Sequence, residues 1–300
     1  MKHPVYDLEY WIRQYPLQRE PSHTGGDWWD ARPVFSPSGI ALNEQIRQAI
    51  WGNLADFEKI PCDVFAWAWG EPADRTMTKI GGVPYMDQSD CWPLDDEGRP
   101  MAFVMQVNFE DSLDLVGDLP ANLLLVFSKV YHRGRYIALE CDPDREESCC
   151  FKWVDPQDVQ WPLEKVLPTP LDLWPLHGHI FRTFDVPSLD LMNRSKWDSA
   201  VSEHPLYQNA LPPAIYLATK IGGVPHWAQG QDCDISPRKS RFLCQLASDG
   251  SADGHVYIGN LKPIEWEERE NIYSHWLRFG DVGSLYVFRK KGKTVFRLQA

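Results

Sequence analysis

With 300 residues, 43% of them hydrophobic, the chain can enclose a substantial core as one large domain or two closely packed halves, and a disordered chain is not expected. No apolar stretch reaches the roughly 18 residues of a bilayer-crossing helix, and residues 1–7 lack the apolar core of an export signal. A cytoplasmic protein without membrane partners is therefore expected; the formal charge of −12 disfavours nucleic acid, whose binding needs clustered cations.

In chain order, residues 1–40 mix aromatics with Pro, Gly and Ser and read as an irregular arm. Asn43 can cap a helix to about Lys59, with Ile46, Ala49, Ile50, Leu54 and Phe57 along one face. Phe65-Ala66-Trp67-Ala68-Trp69 alternates large and small side chains as a strand does. Thr78-Lys79-Ile80-Gly81-Gly82-Val83-Pro84 follows, and its paired glycines and proline predict a bend. Lys79 precedes the glycines and a proline follows them, opposite to the order in a phosphate loop, so a nucleotide cradle is rejected.

Strands are predicted near 102–107, 122–128, 135–140 and 149–154, with Asp95-Asp96-Glu97-Gly98 as a polar turn. Asp87, Asp90, Asp95 and Asp96 lack the central glycine and distant glutamate of a calcium loop. Pro-rich residues 156–187 read as a connector, with a helix near 189–201. Inside it lies the one close histidine pair, His177-Gly178-His179; its spacing suits a strand, but it sits among prolines and has no third ligand nearby.

The heptapeptide then recurs as Thr219-Lys220-Ile221-Gly222-Gly223-Val224-Pro225. Strands are expected near 242–247, 255–258, 284–289 and 293–298, with a hairpin turn at Gly292, while residues 264–277 remain ambiguous. Seven cysteines make an odd count without Cys-x-x-Cys spacing, which favours reduced thiols, and no metal or cofactor is assigned.

Copies of one motif, each followed by a polar loop and an apolar strand, indicate a duplication. The expected fold is a β-rich α+β class, internally duplicated, with two pseudo-symmetric and mainly antiparallel halves. The divisions are an arm and helix over 1–60, a first repeat over 61–155, a connector and helix over 156–205, and a second repeat over 206–300, with the halves packed as one unit.

The paired Lys-Ile-Gly-Gly-Val-Pro motifs, Trp92-Pro93 before the strand holding Gln106, and Phe279-Gly280-Asp281-Val282-Gly283 before Leu285 together resemble the YwqG-like family of bacterial proteins, a domain family without an assigned biochemical function. The resemblance covers roughly residues 60–300. It implies a β-rich pseudo-symmetric fold and brings no catalytic set. Some members of the family are similar to immunity proteins encoded beside antibacterial toxins.

Charge points the same way. Residues 87–147 hold fourteen acids against five bases, an excess of −9, whereas the C-terminal hairpin is basic through Arg289, Lys290, Lys291, Lys293 and Arg297. An acidic surface suits a cationic partner. The functional expectation is an immunity-type protein, not an enzyme, that occludes the basic active site of a toxin such as a nuclease. Its partner-binding residues would be Asp87, Asp90, Asp95, Asp96 and Glu97, with Trp227 as an aromatic anchor alongside the candidates Trp28 and Trp29. The alternatives are an enzyme or small-ligand binder with a pocket where the two bends meet, and an adaptor that binds no toxin. Oligomeric state is not indicated.

Overall fold

Strand β1 (Ile60–Trp69) is central because both its faces are apolar. Phe65 and Trp67 point to one side and Val64, Ala66 and Ala68 to the other, all essentially inaccessible to solvent. In the computed structural model, residues 7–15, 58–86, 90–133, 136–139, 148–156, 171, 173–185, 218–227, 229, 234–235, 239–248, 256–258, 277, 279 and 283–299 are described. The helix expected from Asn43 falls outside them except for Glu58 and Lys59; the helix near 189–201, Trp28, Trp29 and most of 264–277 also lie outside.

The remaining strands are β2 (Lys79–Ile80), β3 (Ala102–Asn108), β4 (Leu123–Ser128), β5 (Val130–Arg133), β6 (Tyr136–Leu139), β7 (Cys149–Val154), β8 (Leu176–Asp185), β9 (Lys220–Gly222), β10 (Ser240–Ala247), β11 (Val256–Tyr257), β12 (Ser284–Lys290) and β13 (Lys293–Gln299). The main sheet runs β13-β12-β10-β9-β1-β8-β2-β3-β4-β7, with β11 also beside β1 and β5-β6 forming a separate ribbon. Every pairing along the ten-strand path is antiparallel.

The sheet curls until its edges meet, where Phe151 of β7 stacks on Phe296 of β13 with centroids 3.6 Å apart and planes at 9°. Phe65, Trp67, Val104, Val107, Leu124, Val126, Leu246, Leu285 and Val287 fill the enclosed core. The class is therefore mostly β, with few helices among the described residues, rather than α+β. The strands expected from periodicity are present.

Two segments depart from expectation. The stretch read as a Pro-rich connector contains β8, which pairs with β1 over its whole length, from Ile60 opposite Asp185 to Trp69 opposite Leu176. Its prolines lie outside the ten-residue strand, whose backbone donors stay available to the ladder. The arm contains helix α1 (Leu8–Gln14), capped by Asp7, whose carboxylate accepts from the Tyr10 amide at 2.7 Å. So short a helix is marginal alone; Leu8, Trp11, Ile12 and Tyr15 lay one face on Cys62, Val64, Ala66, Ala68 and Phe181. Small residues on that side of β1 let the helix approach. A single turn, α2 (Leu113–Val116), ends at Gly117 with φ 64°.

Candidate functional site

Each Lys-Ile-Gly-Gly-Val-Pro bend holds a carboxylate. In the first, Lys79 Nζ donates to Glu71 Oε2 at 3.0 Å and the Val83 amide donates to Glu71 Oε1 at 2.6 Å. In the second, Lys220 Nζ and the Val224 amide both donate to Asp185 Oδ2, at 2.7 and 2.8 Å. All four glycines have positive φ, from 60° to 71°. A Cβ on Gly82 would fall 1.7 Å from Glu71 Oε1, and one on Gly223 would fall 2.1 Å from Asp185 Oδ2. The second glycine of each pair leaves the space that the carboxylate oxygen occupies.

The strand beyond each bend closes it in the same way. Gln106 Oε1 accepts the Tyr85 amide and Gln245 Oε1 accepts the His226 amide, while the Nε2 groups donate to the carbonyls of Met77 and Ala218. Thr78 and Thr219 hydroxyls accept the amides of Asn108 and Ala247. The bends differ in exposure: the Glu71 side chain is 41% exposed, whereas Asp185 is sealed at 2%. Burial pulls the Lys79 ammonium below the usual lysine range, opposed by Glu71.

The bends do not meet. Ile80 pairs with Leu176, which faces Trp69, whereas Ile221 pairs with Asp63. Six residue steps of β1 separate these levels, roughly 20 Å, and the chains leave in opposite directions. The expected pocket shared by the two bends is not formed, because antiparallel pairing of β1 and β8 puts them at opposite ends.

The acidic turn is bracketed by a bridge between Leu94 and Pro100. Asp95 holds it: its carboxylate accepts the amides of Glu97 and Arg99 at 3.0 and 2.8 Å and Arg99 Nε at 2.9 Å, which outweigh desolvation and keep its carboxyl below the usual carboxylate range. Asp96 accepts from Lys129 Nζ at 2.7 Å, Glu97 from Arg99 at 2.9 Å, and Asp90 from Lys152 at 2.7 Å. Each of these four predicted carboxylates thus has a cation of the same chain beside it. Asp87 lies outside the described residues. Sequence reasoning missed Leu94, 52% exposed beside these acids and the one large hydrophobic residue so exposed among those described.

Trp227 packs in a cluster of its own. It packs on Tyr286 and lies parallel to Phe288, centroids 5.5 Å apart and planes at 12°, in a cluster carried by β10, β12 and β13. The acidic turn instead adjoins the cluster of Met86, Trp92, Phe103 and Phe127. The two clusters belong to different wings of the sheet, that beside the acidic turn on β3, β4 and β7 and that of Trp227 on β10, β12 and β13.

Beneath α1, His177 and His179 share one face of β8. Tyr15 Oη lies 2.8 Å from His179 Nε2 and 3.4 Å from His177 Nε2, and His177 Nδ1 lies 2.8 Å from the Gly70 carbonyl oxygen. One relay satisfies all of them: His177 Nδ1–H donates to Gly70, Tyr15 O–H to His177, and His179 Nε2–H to Tyr15. Trp11 stacks on His179 at 4.1 Å and donates to the Ile180 carbonyl. Burial pushes His179 down to about 4, aided by His177, and lowers His177 too. The neutral pair clasps the helix. Among the described residues no three His, Cys, Asp or Glu side chains gather as a metal site. Burial pushes the Cys62 and Cys244 thiols upward, away from the reactive thiolate.

These residues define a class of β scaffold: a curled antiparallel sheet built around two motif bends, each closed on a carboxylate of its own chain. The chain belongs to the family described as Domain of unknown function (DUF1963), whose model matches residues 78–291, from the threonine of the first motif to the turn of the last hairpin. No curated protein matches the chain.

Proposed function

We propose that this protein is a cytoplasmic binding protein of the immunity type, whose acidic turn docks on a cationic protein toxin such as a nuclease. One observation carries the reading: exposed Leu94 beside Asp96 and Glu97 on a turn held rigid by Asp95 and the Leu94–Pro100 bridge. An apolar anchor rimmed by charge is the composition of a protein-docking patch, and a preordered loop lowers the entropy lost on binding. Lys129 and Arg99 mask these acids only partly, since Asp96 and Glu97 are 50% and 57% exposed. Incoming lysines and arginines can share them.

The engagement of the buried histidines and thiols in packing favours binding over catalysis. Resemblance to the YwqG-like family supports the immunity class, and the matching bonds of the two bends support an internal duplication in which each half lends its first strand, β1 or β8, to the other.

Co-purification with the product of the adjacent gene tests the reading. Asp96→Lys/Glu97→Lys should weaken that complex by about tenfold or more, slow its association and leave the thermal midpoint unchanged. Asp95 is left intact because it holds the turn. A complex indifferent to this reversal and to Leu94→Asp would remove the turn from the interface.

A further inference from the structure

The two wings of the sheet treat their cations differently. On the first wing Arg99, Lys129 and Lys152 each hold a carboxylate. At the turn end of the second wing, Lys239, Arg241, Arg289, Lys290, Lys291 and Lys293 come together, and none of the six forms an ion pair among the described residues. Lys290 Nζ donates to the Asp234 carbonyl at 2.8 Å, Arg289 to the Thr294 hydroxyl at 3.4 Å, and Arg241 to the Asp118 carbonyl at 3.3 Å. By strand alternation Lys290 and Lys293 share the face that carries Phe288 and Phe242, whereas Arg241 and Arg289 lie on the other face, where Arg241 reaches Asp118.

Register sharpens the accumulation. Arg241 lies opposite Arg289 and Lys290 opposite Lys293, and like charges facing each other destabilise an antiparallel pair. Lys291, at φ 50°, is the one non-glycine residue with positive φ among those described, followed by Gly292 at 77°. Such a two-residue turn is more easily made with Asn or Gly first. A lysine there adds charge at a conformational cost.

Aromatic rings adjoin these cations. Lys290 lies two residues beyond Phe288 on the same face, where Phe288 contacts Trp227 and Phe242. Trp227 and Phe242 are half-buried and leave part of each side chain at the surface.

We propose that this end of the β10-β12-β13 wing binds single-stranded nucleic acid, its cations taking phosphates while Trp227 and Phe242 offer ring surface to bases. Cations beside stacking aromatics are the recurring construction of such sites. The net negative charge does not prevent this, because a Debye length of about 8 Å at physiological salt keeps the interaction local. An acidic protein would satisfy the cations but leave the aromatic surface without a role. The inference concerns the second wing and does not rest on the docking turn of the first.

Fluorescence anisotropy of a labelled oligothymidine of about twelve nucleotides, titrated with the full chain, tests it. Binding should weaken with salt, with a slope of log K against log salt of about −2, as three phosphate contacts to a single strand give. Lys291→Glu/Lys293→Glu should weaken binding at least about tenfold and flatten the slope by about 1.4. Lys291→Asn, which suits the turn, should weaken binding while leaving the fold intact, so that a loss cannot be blamed on misfolding. The proposal is overturned by an absence of binding at about 50 mM salt, by binding indifferent to both variants, or by oligoglutamate, heparin or anionic phosphatidylserine vesicles binding as tightly as the oligonucleotide.

Discussion

Gly82 and Gly223 occupy equivalent motif positions but guard carboxylates in different surroundings. Alanine at either must adopt a left-handed conformation, a penalty of about 1–2 kcal/mol, and displace a carboxylate oxygen. Glu71 can swing into water; Asp185 cannot, and its displacement leaves the fully buried Lys220 without its partner. Gly223→Ala is therefore expected to destabilise by about 3–5 kcal/mol, the range for breaking a buried pair, and Gly82→Ala by about 1–2 kcal/mol. Urea denaturation of the two variants measures the difference. Equal losses would mean that the second carboxylate is less confined than its burial indicates.

At the level of elements, α1 and β8 meet through the Tyr15–His177–His179 relay, which ties their docking to pH. Both imidazoles have folded-state pKa values below the ordinary value of 6.5, His179 at about 4, so the unfolded chain binds protons that the native state refuses. Their contribution is complete above pH 6.5 and falls as pH drops toward 4, because the folded state favours the neutral form. Glu71 and Lys79 also act on His177, in opposite directions, and the two histidines disfavour each other's charge. Denaturation midpoints measured from pH 7 to pH 4 should decline, with His179 accounting for about 3 kcal/mol. His179→Gln should flatten that decline. A wild-type midpoint constant over the window would dissociate the histidines from helix docking.

For the whole molecule, the decisive contact is the seam where the edges meet. Phe151 and Phe296 are separated by nearly half the chain, yet they stack at 3.6 Å. Phe151→Ala and Phe296→Ala should each destabilise the protein, and a double-mutant cycle should return a coupling of about 0.5–1.5 kcal/mol, the range for aromatic pairs. Strict additivity would mean an open seam in solution. Strand order sets the acidic turn and the cationic hairpin on different wings of the sheet.

Sequence alone determined the strands and bends, because two-residue periodicity and the conformational freedom of Gly-Gly are local properties: Phe65 to Trp69, Gly81-Gly82, Gly222-Gly223 and the Gly292 turn all lie where the pattern put them. It failed at β8, where flanking prolines obscured a strand, and at α1, whose seven residues form a helix against β1 and β8. Only the tertiary structure decided which carboxylate fills each bend, that Lys129 and Lys152 reach the predicted acids, and that Lys239 and Arg241 join the C-terminal lysines. Those arrangements follow from strand order and register. Lys220 finds Asp185 across 35 positions, and Arg182 grips Asp63 across 119, separations at which no local pattern identifies a partner.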